Sequence, residues 1–132
     1  MRFMLDTNIC IYAIKQQPAA VLEALRRHEA EGIGVSAVTA AELWFGVEKS
    51  GSARNRSALK EFLSPLEIAE FDHAAARIYG RLRQALEAAG KPIGPLDTQI
   101  AAHALALDVT LVTHNMREFT RVKGLSVVDW AT

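Results

Sequence analysis

The chain has 132 residues, half of them hydrophobic and 23% charged, a globular composition with enough length for a real core. Lys plus Arg and Asp plus Glu each total 15, giving zero net charge, which excludes nucleic-acid binding by bulk positive charge but not through a local basic patch. The single cysteine, Cys10, excludes an internal disulfide, and no apolar run reaches membrane-spanning length.

Phe3-Met4-Leu5 runs straight into Asp6-Thr7-Asn8, the pattern of a short buried strand ending in a turn. Asn8 to Ile14 reads as a short helix, and Pro18 at the first helical position opens a second over Ala19 to Ala30, with Gly32 just past its end. Ile33-Gly34-Val35 is a second strand. A third helix starts at Thr39 and runs to about Lys49, and Ser50-Gly51-Ser52 separates it from a fourth over Ala53 to Leu63. Leu66 to Phe71 alternates as a third strand, with Asp72 capping a long helix from His73 to Ala89. After the rigid loop Lys91 to Pro95 come a helix from Leu96 to Leu107 and a fourth strand over Val109 to Thr113. A turn or helical segment follows from His114 to Phe119, then a terminal strand from Leu125 to Val128. This alternation implies one α/β domain over residues 1–132, a parallel sheet with helices on both faces. The opening strand occupies the place a signal peptide would need, so a cytoplasmic location is expected.

In such sheets ligands bind beyond the carboxyl ends of the strands, where strand order reverses. Asp6 follows the first strand, Glu42 falls near the start of the third helix, and Asp97 opens the helix before the fourth strand. Asn115 and Glu118 follow that strand. Brought into one crevice, these groups repel as bare carboxylates. A divalent cation relieves the repulsion, and oxygen donors suit magnesium or manganese. Such a centre suits attack of water on a phosphodiester.

Each residue also has a plainer role. Asp6, Thr7 and Asn8 are all good helix caps, and Glu42 completes a Thr-x-x-Glu capping box with Thr39. Asp97 sits in a first helical turn, where the macrodipole favours an anion. Asn115 fits a turn and Glu118 a solvated surface. It is their common placement at one sheet edge that favours the site. His28, His73, His103 and His114 show no zinc spacing; His28 and His73 read as surface residues, and His114, next to the crevice, as a turn residue ahead of the alternative that it touches substrate. Cys10 reads as a buried hydrophobe. The third helix is apolar nearly all round, which the chain's own core can cover; the favoured alternative is that Trp44 or Phe45 packs against a partner, either a second copy or an apolar peptide. Basic residues cluster at Arg26-Arg27, Arg54 and Arg56, Arg77 to Arg83, and Arg117 with Arg121. Arg117 and Lys91 are candidates to hold a phosphate backbone beside the crevice.

Four segments in this order resemble the PIN-domain ribonucleases, and among them the VapC toxins of bacterial toxin–antitoxin pairs. They are Met4-Leu5-Asp6-Thr7-Asn8, Ser36 to Leu43, Gly94-Pro95-Leu96-Asp97-Thr98-Gln99-Ile100-Ala101, and Thr113-His114-Asn115-Met116-Arg117-Glu118-Phe119. The resemblance spans essentially the whole chain. It implies a Rossmann-like sheet of strand order 3-2-1-4-5 and an RNA endonuclease using magnesium or manganese. It further implies homodimerisation, neutralisation by a VapB-type antitoxin, and DNA contact only through that antitoxin. Asp6, Glu42 and Asp97 occupy the family's three acidic positions. The fourth, commonly Asp, is Asn115 here; its amide can ligate but adds no charge, and Glu118 is the candidate for the missing carboxylate. The most similar sequences look like toxins that cut initiator tRNA in its anticodon loop.

The expected reaction is hydrolysis with Asp6 and Asp97 on the metal, Glu42 ligating it or orienting water, and Asn115 or Glu118 completing the shell. Thr7, Asn8 and Thr113 support them, and Arg117 faces substrate. Two other classes compete. A phospho-acceptor signalling domain would use Asp72, but lacks paired acids after the first strand. A non-catalytic partner in a DNA-binding autorepressor complex would not need all three acids.

Overall fold

The computed structural model describes residues 1–132. Five parallel strands, β1 (Phe3–Leu5), β2 (Ile33–Ser36), β3 (Glu67–Ala69), β4 (Thr110–Val112) and β5 (Val127–Val128), form one sheet in the order β3-β2-β1-β4-β5. β1 is central, paired with β2 through Phe3–Ile33 and Leu5–Val35 and with β4 through Phe3–Thr110 and Leu5–Val112. The chain therefore leaves β1 for β2 on one side and reaches β4 on the other, and the point of reversal lies at the end of β1, where Asp6 stands. Gly34 lets β3 come close: a Cβ there would lie 2.5 Å from the Glu67 carbonyl oxygen.

Alternation along β1 divides the core between the two faces. Phe3 and Leu5 join a cluster with Ile9, Cys10, Val21, Leu43 and Leu59, contributed by α1 (Thr7–Lys15), α2 (Ala19–His28), α3 (Ala37–Ser50) and α4 (Ala53–Leu63). Met4 points the other way, into a cluster with Ile100, Ala101, Ala104, Leu111 and Phe119. These belong to α6 (Pro95–Leu107), β4 and α7 (Met116–Phe119), while α5 (His73–Ala88) packs along α6. Ala101, Ala102 and Ala104 are fully buried, and their small side chains allow α6 to lie close against its neighbours. The strand order and the two-faced helical cover agree with the sequence expectation. No helix is long and apolar enough to cross a membrane.

Several local expectations need correcting. α3 starts at Ala37, not Thr39, because Ser36 at the end of β2 is its cap and accepts from the Val38 amide at 3.1 Å. The Thr39–Glu42 capping box does not form: Thr39 is buried inside the helix with its hydroxyl unpartnered. Pro18 precedes α2 as its N-cap rather than occupying the first helical position, and α2 ends at His28 in a 3₁₀ turn over Glu29–Glu31. His28 is not a free surface residue: its ring stacks on Trp130 at 5.0 Å, with Phe3 at 4.9 Å. Trp44 packs against the chain's own core, whereas Phe45 is 68% exposed. Cys10 is a buried thiol pushed well above its ordinary pKa by desolvation and by Asp6, so it packs as a hydrophobe.

Candidate active site

Because β1 is buried on both faces and α1 begins immediately after it, Asp6 is held at the helix N-terminus with only 4% exposure. One of its oxygens, Oδ1, accepts the Ile9 amide at 2.9 Å as a helix cap. Capping thus occupies one carboxylate oxygen and leaves the other available. Burial raises the Asp6 pKa; Thr113 and the Ile9 amide oppose the rise, and the charges of Glu42 and Asp129 add to it.

Glu42 comes from the second turn of α3, because that helix starts two residues earlier than expected. Thr7, the first residue of α1, donates its hydroxyl to Glu42 Oε1 at 2.8 Å. The helices that follow the neighbouring strands β1 and β2 are therefore tied by the residue next to Asp6. Asp97 sits in the first turn of α6. Its pKa is raised from 3.8 to about 6, first by desolvation, then by Glu118, Asp6 and Glu42. That dependence reports four carboxylates within electrostatic reach of one another.

After β4, the fully buried Thr113 accepts the Asn115 amide on Oγ1 at 2.9 Å, leaving its own proton free for Asp6. Asn115 Nδ2 donates to Glu118 Oε2 at 3.0 Å. Asn115 thus spends its amide nitrogen fixing Glu118 and keeps its carbonyl oxygen as a donor atom. Asp6, Thr7, Asn8, Glu42, Asp97, Asn115 and Phe119 line one cleft of about 130 Å³. Glu118 reaches it through Asn115 and Asp97 rather than by lining it. Phe119 was not anticipated as a site residue; its burial under the sheet is a tertiary fact, and only its position behind the Asn115–Glu118 pair hinted at it.

Other candidates fall elsewhere. Arg117 is exposed on α7 and absent from the cleft lining. Lys91 lines a separate groove of about 480 Å³ with Arg81, Arg121 and Lys123. His103 is buried, pairing its Nδ1 with Ser36 Oγ at 2.8 Å. Asp72 caps α5 through the Ala75 amide at 3.0 Å, outside the cleft.

The donors in the cleft are carboxylate, amide and hydroxyl oxygens, which suit a hard divalent cation. No three His, Cys, Asp or Glu side chains are gathered into a ready metal cage, unlike a structural zinc centre. Magnesium keeps several of its waters and is held by one or two carboxylates, which Asp6 and Asp97 can supply.

The PIN domain family matches residues 3–125. The tRNA(fMet)-specific endonuclease VapC of Shigella flexneri is 42% identical over 132 residues, covering 99% of each chain. The protein of the same name from Salmonella typhimurium is 39% identical over 131 residues, covering 98% of each. Among solved structures, a chain of VapBC2 from Rickettsia felis, bound to a DNA fragment from its promoter, superposes with a TM-score of 0.91 at 42% identity. That match covers 98% of this chain and 99% of the other. The family match over residues 3–125 and relatives covered along nearly their whole length agree with acids placed at the switch point of the sheet: this chain belongs to the PIN-domain family, among the VapC ribonucleases.

Proposed function

We propose that the chain is a metal-dependent endoribonuclease, the toxin of a toxin–antitoxin pair, that hydrolyses a phosphodiester in RNA. The observation that carries this reading is the convergence of Asp6, Glu42 and Asp97 in one cleft, where burial first, and the charges of Glu118, Asp6 and Glu42 after it, lift Asp97 to about 6. A magnesium or manganese ion in the cleft would neutralise charge on the phosphate and lower the pKa of the attacking water. Asp6 and Asp97 hold that ion. Glu42, steadied by the Thr7 hydroxyl, orients the water. Asn115 offers its carbonyl oxygen and holds Glu118 in reserve as the further carboxylate.

Initiator tRNA is the proposed substrate, supported by the names of the Shigella and Salmonella relatives. A small VapB-type antitoxin is the proposed partner, supported by the VapBC2 complex. DNA is then reached through the antitoxin, since this chain is electrically neutral and offers no excess positive charge for DNA. The cytoplasm, where tRNA and promoter both reside, is the proposed location. A homodimer is proposed as well, with exposed Phe45 a natural contact.

The test is cleavage of initiator tRNA by purified protein with magnesium or manganese. Chelator should abolish cutting, either metal should restore it, and the products should carry 5′-phosphate and 3′-hydroxyl ends. Cyclic 2′,3′-phosphate ends, or activity indifferent to chelator, would rule the mechanism out.

A further inference from the structure

Beside the cleft stands a histidine that the hydrolytic machinery does not use. His114 directly precedes the cleft residue Asn115, and its side chain is 50% exposed. Its Nδ1 pairs with Asp129 Oδ2 at 3.0 Å, and Asp129 is only 14% exposed. The other Asp129 oxygen accepts the Ala131 amide at 2.8 Å, and the intervening Trp130 is buried against Phe3 and His28. The anchored tail therefore fixes Asp129, and Asp129 fixes the plane of the His114 ring. Tyr12 meets that ring edge-on at 6.0 Å. Tyr12 is one helical turn beyond Asn8, so the two lie on the same face of α1, and Asn8 lines the cleft. Asn8, Tyr12 and His114 make a continuous strip running out of the cleft. Asp129 is also near enough to Asp6 for its charge to act on that carboxylate.

We propose that His114, its ring held by Asp129 and flanked by Tyr12, is a substrate-contacting residue on which the base next to the scissile phosphate stacks. An oriented, half-exposed ring beside an acidic cleft is what single-stranded RNA requires, because proteins read unstacked bases by stacking them on aromatic side chains. A carboxylate-lined cleft repels the phosphate backbone, so a stacking contact to the base holds the strand without relying on the phosphates. The inference rests on the ribonuclease reading and names how its substrate is held.

The experiment compares wild type with His114→Ala, His114→Asn and His114→Phe in steady-state cleavage of tRNA. It also measures RNA binding by the same variants in an Asp6→Asn background, where no cutting is expected. Ala and Asn should raise KM, and weaken binding, about tenfold, with kcat within about twofold, while Phe stays near wild type because a flat ring suffices. An abasic nucleotide beside the cut should cost wild type a similar factor and cost His114→Ala nothing more. Identical KM and binding for Ala and wild type would overturn the proposal, as would Asn retaining function while Phe loses it, or an effect confined to kcat. Binding that depends on His114 without any cleavage by wild type would instead overturn the ribonuclease reading and leave the platform standing.

Discussion

A carboxylate with two oxygens can serve two purposes, and Asp6 does. Oδ1 caps α1, so the helix-cap and ligand interpretations that compete at the sequence level are compatible in the folded protein. Asp6→Asn retains an oxygen for the Ile9 amide while removing the charge. Cleavage should fall below detection, and the melting temperature should hold or rise, since a buried amide costs less than a buried carboxylate. Asp6→Ala loses the cap as well and should cost about 1 kcal/mol of stability. Cleavage assays beside thermal melts separate the two roles; an active Asp6→Asn protein would remove Asp6 from the metal. Thr7 acts one step back, through its hydrogen bond to Glu42. Thr7→Val keeps the shape and removes the donor, and should slow cleavage about tenfold without a change in the circular dichroism spectrum.

At the scale of elements, α3 shows what the sequence leaves ambiguous. Ser36, Thr39 and Glu42 offer two start signals three residues apart, and local pattern matches the capping box better. Long-range contacts decide otherwise: Ser36 pairs with Ala69 of β3 in the sheet register and with the His103 ring of α6, so the helix starts at once. Ser36→Ala should then cost about 2 kcal/mol, from the lost cap and an unpaired buried imidazole nitrogen. Thr39→Val, which replaces an unpartnered hydroxyl by a methyl, should be neutral or stabilising by up to about 1 kcal/mol. Denaturant titration of both variants checks this, and the capping box would demand the opposite ranking. The strands and Asp6 were legible because a buried strand and the polar residue that ends it are local signals, whereas the strand order followed from the resemblance to the PIN-domain family. Phe119, and the stack of Phe3, His28 and Trp130, were not, because they join residues distant along the chain. The same holds for the tail that carries Asp129: nothing beside Asp129-Trp130 in the sequence announces His114 as its partner.

For the molecule as a whole, zero net charge conceals a concentration of negative charge at one sheet edge, and that has a consequence for stability. Asp97 has a folded pKa of about 6 against an ordinary 3.8, and Asp6 is shifted the same way. In the metal-free protein the folded state therefore binds more protons than the unfolded state between about pH 4 and 6. Where the folded state binds the extra proton, stability falls as pH rises. Full benefit from these groups is present below about pH 4 and lost by the time pH has passed about 6. A divalent cation reverses the preference by favouring the charged carboxylates. In chelator, the melting-temperature difference between Asp97→Asn and wild type should grow in favour of the variant as pH climbs from about 4 to 7. At pH 7.5, magnesium at a hundred times its dissociation constant should stabilise wild type by about 2.7 kcal/mol, a shift of several degrees for a domain of this size. Asp6→Asn and Asp97→Asn should lose most of that shift. If wild type and Asp97→Asn melt in parallel across the whole pH range, or magnesium lifts both equally, the cleft is not the cation site. Paired curves that converge only when magnesium is added would tie the repulsion among the cleft carboxylates to the ion that relieves it.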